Sequence, residues 1–175
     1  MTAKTPRPFV AVLVGLSFLG ACGEPRPRGW VRPVGSDAAQ ALAAKCLPGA
    51  APEERASGEL AWSRRDPGPD GFWLEVTFGW HDAKKASLAS IRVAAYGPMS
   101  QQTPANGRRY RAAIECILGP DVVATGVRAK VLSLVDALVP PGRFNADLDG
   151  FWLLVDQSAV GRSFIASAAV FGPAK

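Results

Sequence analysis

"DGFWLEV" at residues 70–76 returns as "DGFWLLV" at residues 149–155, with six of seven letters identical. An Asp-Gly pair is turn chemistry, and the residues after each pair alternate with a period of two. Phe72, Leu74, Val76 and Phe78 point one way after the first pair, and Phe151, Leu153 and Val155 do so after the second. Alternation of this kind marks a strand with one face on a core. Each strand is followed by a turn and another extended run, "SLASIRVAAYGP" at 87–98 and "RSFIASAAVFGP" at 162–173, both ending in aromatic, Gly, Pro. The sequence therefore predicts two hairpins.

Upstream of each hairpin lies a matched helical string, "ALAAKCLPG" at 41–49 and "YRAAIECILG" at 110–119. In the first, Ser36 or Asp37 supplies a cap, Ala39, Leu42, Ala43 and Cys46 share a face, and Pro48 with Gly49 stops the helix. In the second, Asn106 supplies the cap, Arg109, Ala112, Ala113 and Cys116 repeat the spacing, and Gly119 with Pro120 closes it. Between helix and hairpin the two halves diverge. The first has "SGELAWSRR" at 57–65, an extra strand with Leu60 and Trp62 alternating. The second has a helical stripe of Val127, Val131, Leu134, Val135 and Leu138 that ends at Pro140 and Pro141. The expected order is helix, three strands, two helices, two strands. The fold class is α+β: an antiparallel sheet of about five strands with about three helices, built from two helix-plus-hairpin repeats at about 36–98 and 106–173. Neither repeat buries its apolar face alone; together they form one domain over 36–175.

A chain of 175 residues has room for one domain with a substantial core. Of its 20 basic residues, Lys4 and Arg7 fall in a leader, which leaves 18 against 15 acidic ones. So small an excess speaks against nucleic acid as a partner.

The leader is residues 1–21. "MTAKTPRP" carries two positive charges and runs into 11 apolar or small residues, Phe9 to Leu19, a length suited to an export signal and too short for a permanent span. Leu19, Gly20, Ala21 and Cys22 follow. "LGAC" in this position resembles the lipobox of bacterial lipoproteins, and the resemblance covers the first 22 residues. It implies cleavage before Cys22, diacylglycerol on the Cys22 thiol and attachment to a membrane. Gly23, where an Asp often retains lipoproteins of Gram-negative bacteria at the inner membrane, leans the expected location toward the outer membrane, facing the periplasm. Residues 22–35, "CGEPRPRGWVRPVG", read as an extended Pro-, Gly- and Arg-rich tether, with Trp30 either at the lipid headgroups or docked on the domain.

Export also sets the reading of Cys46 and Cys116, since disulfides persist outside the cytoplasm. The two are expected to be bonded; two separate buried thiols are the alternative.

Little in the chain resembles catalytic or metal chemistry. His81 is the single histidine, so sites built on several histidines are excluded. His81 beside Asp82 in "GWHDAKK" matches half of a hydrolase triad in residue type, yet the segment reads as the loop of the first hairpin. "NADLDGFWLLVD" at 145–156 has oxygen-bearing residues spaced as in a calcium-binding EF-hand loop, but Asn145 stands first, Asp156 stands in place of Glu, and an Asp-Gly turn explains the same letters. No catalytic residue, metal or cofactor is expected.

Alternation places Trp73 and Trp152 opposite Phe72 and Phe151. Covered on both sides of the sheet, they are core, which is the expectation; left open, they form an apolar platform. Basic pairs such as Arg64 with Arg65 and Lys84 with Lys85 read as a solvated face. The function expected is that of a lipid-anchored envelope protein, non-catalytic, binding a protein partner through sheet edges or the tryptophan face. A binder of glycan or lipid that uses Trp73 and Trp152 is the alternative, and a hydrolase built on His81 is the remote one.

Overall fold

The computed structural model describes residues 29–68, 70–137 and 142–173. Its elements in chain order are α1 (Ser36–Cys46), β1 (Ala51–Glu54), β2 (Leu60–Arg65), β3 (Trp73–Trp80), β4 (Leu88–Pro98), a 3-10 turn (Met99–Gln101), α2 (Pro104–Ile117), α3 (Thr125–Ala137), β5 (Gly142–Leu148), β6 (Phe151–Val160) and β7 (Ser163–Phe171). The described strands form one antiparallel sheet in the order β1-β2-β3-β4-β7-β6-β5. The fold is α+β and mostly sheet.

The three helices and the two hairpins lie where the pattern puts them, but the sheet has seven strands rather than about five. The two additions, β1 and β5, are its edges. β1 reads "APEE" and is exposed throughout, and β5 reads "GRFNADL" and is mostly exposed. An edge strand buries little, so it need not alternate, and Pro52 is tolerated there because one side of an edge strand has no partner.

Register fixes which side chains share a face. Trp62 lies across from Val76, Val76 from Val93, Val93 from Ala168 and Ala168 from Val155, so these residues form one row. That row faces the helices and is buried, together with Phe72, Phe78, Ile91, Phe151, Leu153 and Val170. From the helices come Ala39 and Ala43 of α1, Tyr110, Ile114 and Ile117 of α2, and Val127, Val131 and Leu134 of α3. The apolar stripe of α2 is turned from the expected one: Tyr110, Ala113, Ile114 and Ile117 are buried, while Ala112 is exposed. Its cap is Thr103 rather than Asn106, with Pro104 in the first turn; Thr103 Oγ1 accepts from the Asn106 backbone N–H at 3.2 Å. Gly35 precedes α1, which has no side-chain cap. Leu138, Pro140 and Pro141 lie outside the described residues.

Cys46 at the end of α1 and Cys116 in the last turn of α2 are joined, with Cα atoms 5.6 Å apart and a sequence separation of 70. The crosslink ties the two helices to each other above the sheet.

The segment expected to be a tether packs on the body from Gly29 onward. Trp30 Nε1 donates to the Leu88 carbonyl at 2.8 Å, and its ring stands edge-on to Phe151 at 5.0 Å. Val31 N–H donates to the Val122 carbonyl at 3.0 Å, Trp80 Nε1 donates to the Val34 carbonyl at 2.9 Å, and Val34 is buried. Of the two places open to Trp30, the structure takes docking. Gly172 permits it: a Cβ there would sit 2.5 Å from Trp30 Nε1.

Candidate functional site

The three described helices lie on one side of the sheet, and among the described residues no helix covers the other side. Its residues follow from register. Across β2, β3, β4, β7 and β6 one row reads Arg65, Trp73, Tyr96, Ile165, Ser158, and the row at the other end reads Gly79, Ser90, Phe171, Trp152 over β3, β4, β7 and β6. Both expected tryptophans are therefore on this face. They do not line up: three strand spacings and six residues separate them, roughly 25 Å.

Each tryptophan has an aromatic neighbour across the strand pair. Trp73 and Tyr96 ring centroids are 5.0 Å apart, and Trp152 and Phe171 centroids are 4.9 Å apart, both pairs tilted. Such contacts hold the rings in place. Arg65 lies over the Trp73 ring at 5.0 Å. Trp152 is 42% exposed and Trp73 is partly exposed, so the expectation that both are core is corrected. Among the described residues no second layer covers this face, because each described helix packs on the other one.

Between the two aromatic pairs runs a polar network. Glu75, 8% exposed, accepts from Arg55 Nη2 at 2.5 Å, and Arg55 reaches it from the β1–β2 turn. Thr77 Oγ1 and Tyr96 OH each lie 3.4 Å from Glu75 Oε1, and Arg92 Nη2 donates to Tyr96 OH at 2.9 Å. Burial raises the Tyr96 phenol above its ordinary value, with Arg92 opposing and Glu75 adding to the rise. The Glu75 carboxylate is met by a guanidinium, a hydroxyl and a phenol, and Arg92 joins through the phenol while its buried Nε has no partner among the described residues. The network stiffens the middle of the face, where Ala94 and Ala169 keep the surface low. Sequence reading missed this cluster, since Arg55, Glu75, Arg92 and Tyr96 come from three separate segments. The one available signal was Glu75, the single charged residue of β3.

On the helix side a cavity of about 720 Å³ opens between the start of α2 and the ends of β4, β6 and β7; Phe72, Ala95, Tyr110, Phe164 and Ala166 form its apolar wall. Arg108 and Arg111 stand at its rim. Arg111 pairs with Asp136 and, at 3.2 Å, with Glu115. Nearby, Arg109 grips Asp66 through two hydrogen bonds of 2.6 and 2.8 Å and lies 4.9 Å over the Phe72 ring. The Arg109 bond holds the Asp66 carboxyl below its usual range, against partial burial, and Asp66 in turn raises Arg109.

The remaining sequence candidates separate. His81 lines a smaller cavity of about 360 Å³ formed by the docked segment. The Asp82 carboxylate accepts from the Ala86 and Ser87 backbone N–H groups at 3.1 and 2.8 Å, which is a turn-forming role. Asn145 to Asp156 is the β5–β6 hairpin, with Asp149 and Gly150 both at positive φ in the turn. Asn145 and Asp147 are spread along β5 and Asp156 lies along β6, so the calcium-loop resemblance has no loop to act in. Among the described residues, no group of three or more His, Cys, Asp or Glu is placed to hold a metal ion. No helix among them is long and apolar enough to cross a membrane. Cys22 and the leader at 1–21 lie outside the described residues.

Compared with known proteins, the chain matches no family model, no curated protein and no solved structure.

Proposed function

We propose that the chain is a lipid-anchored protein of the cell envelope, facing the periplasm and held at the outer membrane through Cys22, whose folded body binds a protein partner without catalysis. The binding surface on this reading is the helix-free face of the sheet. One observation carries it: Trp152 is 42% exposed, its ring held against Phe171, on the face that carries the Glu75 network between its two aromatic pairs. A rigid aromatic that is already ordered loses little conformational freedom on binding, which is why tryptophan recurs as an anchor in protein interfaces. The disulfide supports an oxidising compartment. The docked segment supports a short link to lipid, since six residues, Gly23 to Arg28, then remain between anchor and body.

The same proposal takes the body as two copies of one unit. Trp73 faces Tyr96 as Trp152 faces Phe171, so the repeated strings enter their hairpins in the same register. The cysteines at matched helix positions bond to each other, and β4 lies beside β7 at the middle of the sheet.

A glycan ligand is the second reading, favoured by Asp147 lying across the strand pair from Trp152, an acid beside an exposed ring. Placing a photo-crosslinking amino acid at position 152 in intact envelopes, with position 130 on the exposed side of α3 as the comparison, tests both. A protein adduct at 152 and none at 130 is the expected outcome. Adducts with glycan alone would transfer the assignment to the second reading, and adducts at neither position would remove the face from consideration. Mass spectrometry of the mature N-terminus tests the anchor separately; an unmodified Cys22 would overturn it.

A further inference from the structure

The two edges of the sheet differ. At one, β1 is four residues long and contains Pro52; at the other, β5 runs for seven residues without a proline and pairs with β6 alone among the described residues. The outward N–H and C=O groups of such a strand are a template for another strand. Register sorts its side chains. Arg143, Asn145 and Asp147 lie across from Asp156, Leu154 and Trp152 and share the helix-free face, whereas Phe144, Ala146 and Leu148 lie across from Val155, Leu153 and Phe151 and take the other. Ala146 and Leu148 pack against the core, yet Phe144 is 41% exposed. Arg143 Nη2 lies 4.0 Å from Asp156 Oδ2, and its side chain is 66% exposed. Asp147 is exposed and has no ion pair among the described residues. The outer face of β5 thus reads positive, neutral, negative, centred on Asn145.

We propose that β5 pairs antiparallel with β5 of a second copy of this chain, about a two-fold axis that passes at Asn145 perpendicular to the sheet. In this register every residue from Gly142 to Leu148 finds a partner. Arg143 faces Asp147 of the second copy, Asp147 faces its Arg143, and the symmetry makes the charge pair twice. On the helix side Phe144 faces Ala146 of the second copy and stands diagonal to its Phe144, which brings two exposed rings within reach of each other. Centring the axis on Phe144 or Ala146 leaves two residues of the strand outside the ladder and sets Asn145 opposite a charge. The complement of β5 is therefore β5 itself, and charge selects a second copy over an unrelated strand. The β1 edge has no such complement, since Glu53 and Glu54 carry one sign and Pro52 lacks an N–H. The assembly closes as a dimer with β1 at both ends. Both Trp152 rings then stand on one continuous helix-free face, roughly 20 Å apart. The pairing itself depends on neither Trp152 nor Cys22.

The test uses the full, disulfide-bonded chain in sedimentation equilibrium. A dimer with a Kd on the order of 100 µM or tighter is expected, the strength of a small interface. Arg143→Asp and Asp147→Arg each set like charges against each other twice, and each should weaken the dimer at least about 10-fold. The chain carrying both changes should recover to within about 3-fold of the parent, and an equimolar mixture of the two single variants should form a mixed dimer. A role of the two residues within one chain gives no such recovery in the mixture. Melting temperatures taken alongside establish that each variant is folded. Asn145→Cys sets two thiols at the axis, where Cα atoms across antiparallel strands are about 4.5–5.5 Å apart, within reach of a disulfide. Oxidation should join two chains through position 145, as mapped by mass spectrometry, and Glu53→Cys on the other edge should give no such product. A monomer at about 1 mM, a dimer indifferent to both charge reversals, or crosslinking at 53 and not at 145 would overturn the pairing. In intact envelopes, adducts of the Asn145→Cys chain with another protein and none with itself would overturn the second copy and assign the edge to an unrelated strand.

Discussion

Trp30 and Gly172 are sized to each other: the indole nitrogen occupies the space that any side chain on residue 172 would need. Gly172→Ala should therefore lower stability by about 1–3 kcal/mol, the range for overpacking a filled site. Trp30→Ala should cost about 3 kcal/mol through the lost ring contact with Phe151 and the lost bond to Leu88. The two share one space, so the double variant should be less destabilised than the sum of the singles. Denaturant midpoints of all four proteins decide this, and additive losses would place Trp30 elsewhere.

Cys46 and Cys116 close a loop of 70 residues. On chain-entropy grounds the crosslink contributes about 4 kcal/mol. Reduction, or replacement of both residues by Ala, should shift the urea midpoint downward accordingly, while Ser36, at the opposite end of α1, should tolerate Ala with little change. A midpoint indifferent to reductant would show that the helices hold their places without the bond.

Phe151 and Trp152 are chain neighbours on opposite faces, 1% and 42% exposed. Phe151→Ala should cost about 3–5 kcal/mol, and Trp152→Ala about 1 kcal/mol or less. Thermal unfolding of the two variants side by side checks the facing of the whole sheet, because a register one residue off would reverse the ranking.

The bond from Arg109 depresses the Asp66 carboxyl, so the pair stabilises the fold above the unfolded aspartate value near pH ~4 and the contribution disappears as pH falls through the lower folded value. Asp66→Asn should lower stability at pH 7 and show a shallower loss between about pH 5 and pH 2 than the parent. Both side chains are about one-third exposed, 38% and 33%, so solvent and salt reduce the effect, and 0.5 M NaCl should narrow the gap between the two proteins. Equal acid profiles would remove the pair from the account of stability.

The two hairpins were legible because Phe72 to Phe78 and Phe151 to Val155 carry a period that burial on one face imposes. The matched cysteines were legible for the same reason, as repeated positions on repeated helices. The edge strands were not, since "APEE" and "GRFNADL" bury little and leave no alternation to read. The exposure of Trp152 was also hidden: alternation says which residues share a face, and only the path of three helices says which face is covered. Glu75 and Arg55 meet across 20 residues because the β1–β2 turn folds back over β3, a contact that no local pattern encodes.

At the far side of the sheet from β5, β1 is four residues long, offers no N–H at Pro52, and shows exposed carboxylates at Glu53 and Glu54. A second molecule approaching that border to extend the sheet would meet the Glu53 carboxylate, the Glu54–Lys85 ion pair and a proline, and the strand is too short to give it a long ladder in return. For a protein crowded among its own copies, that border is a built-in stop against fibrous growth.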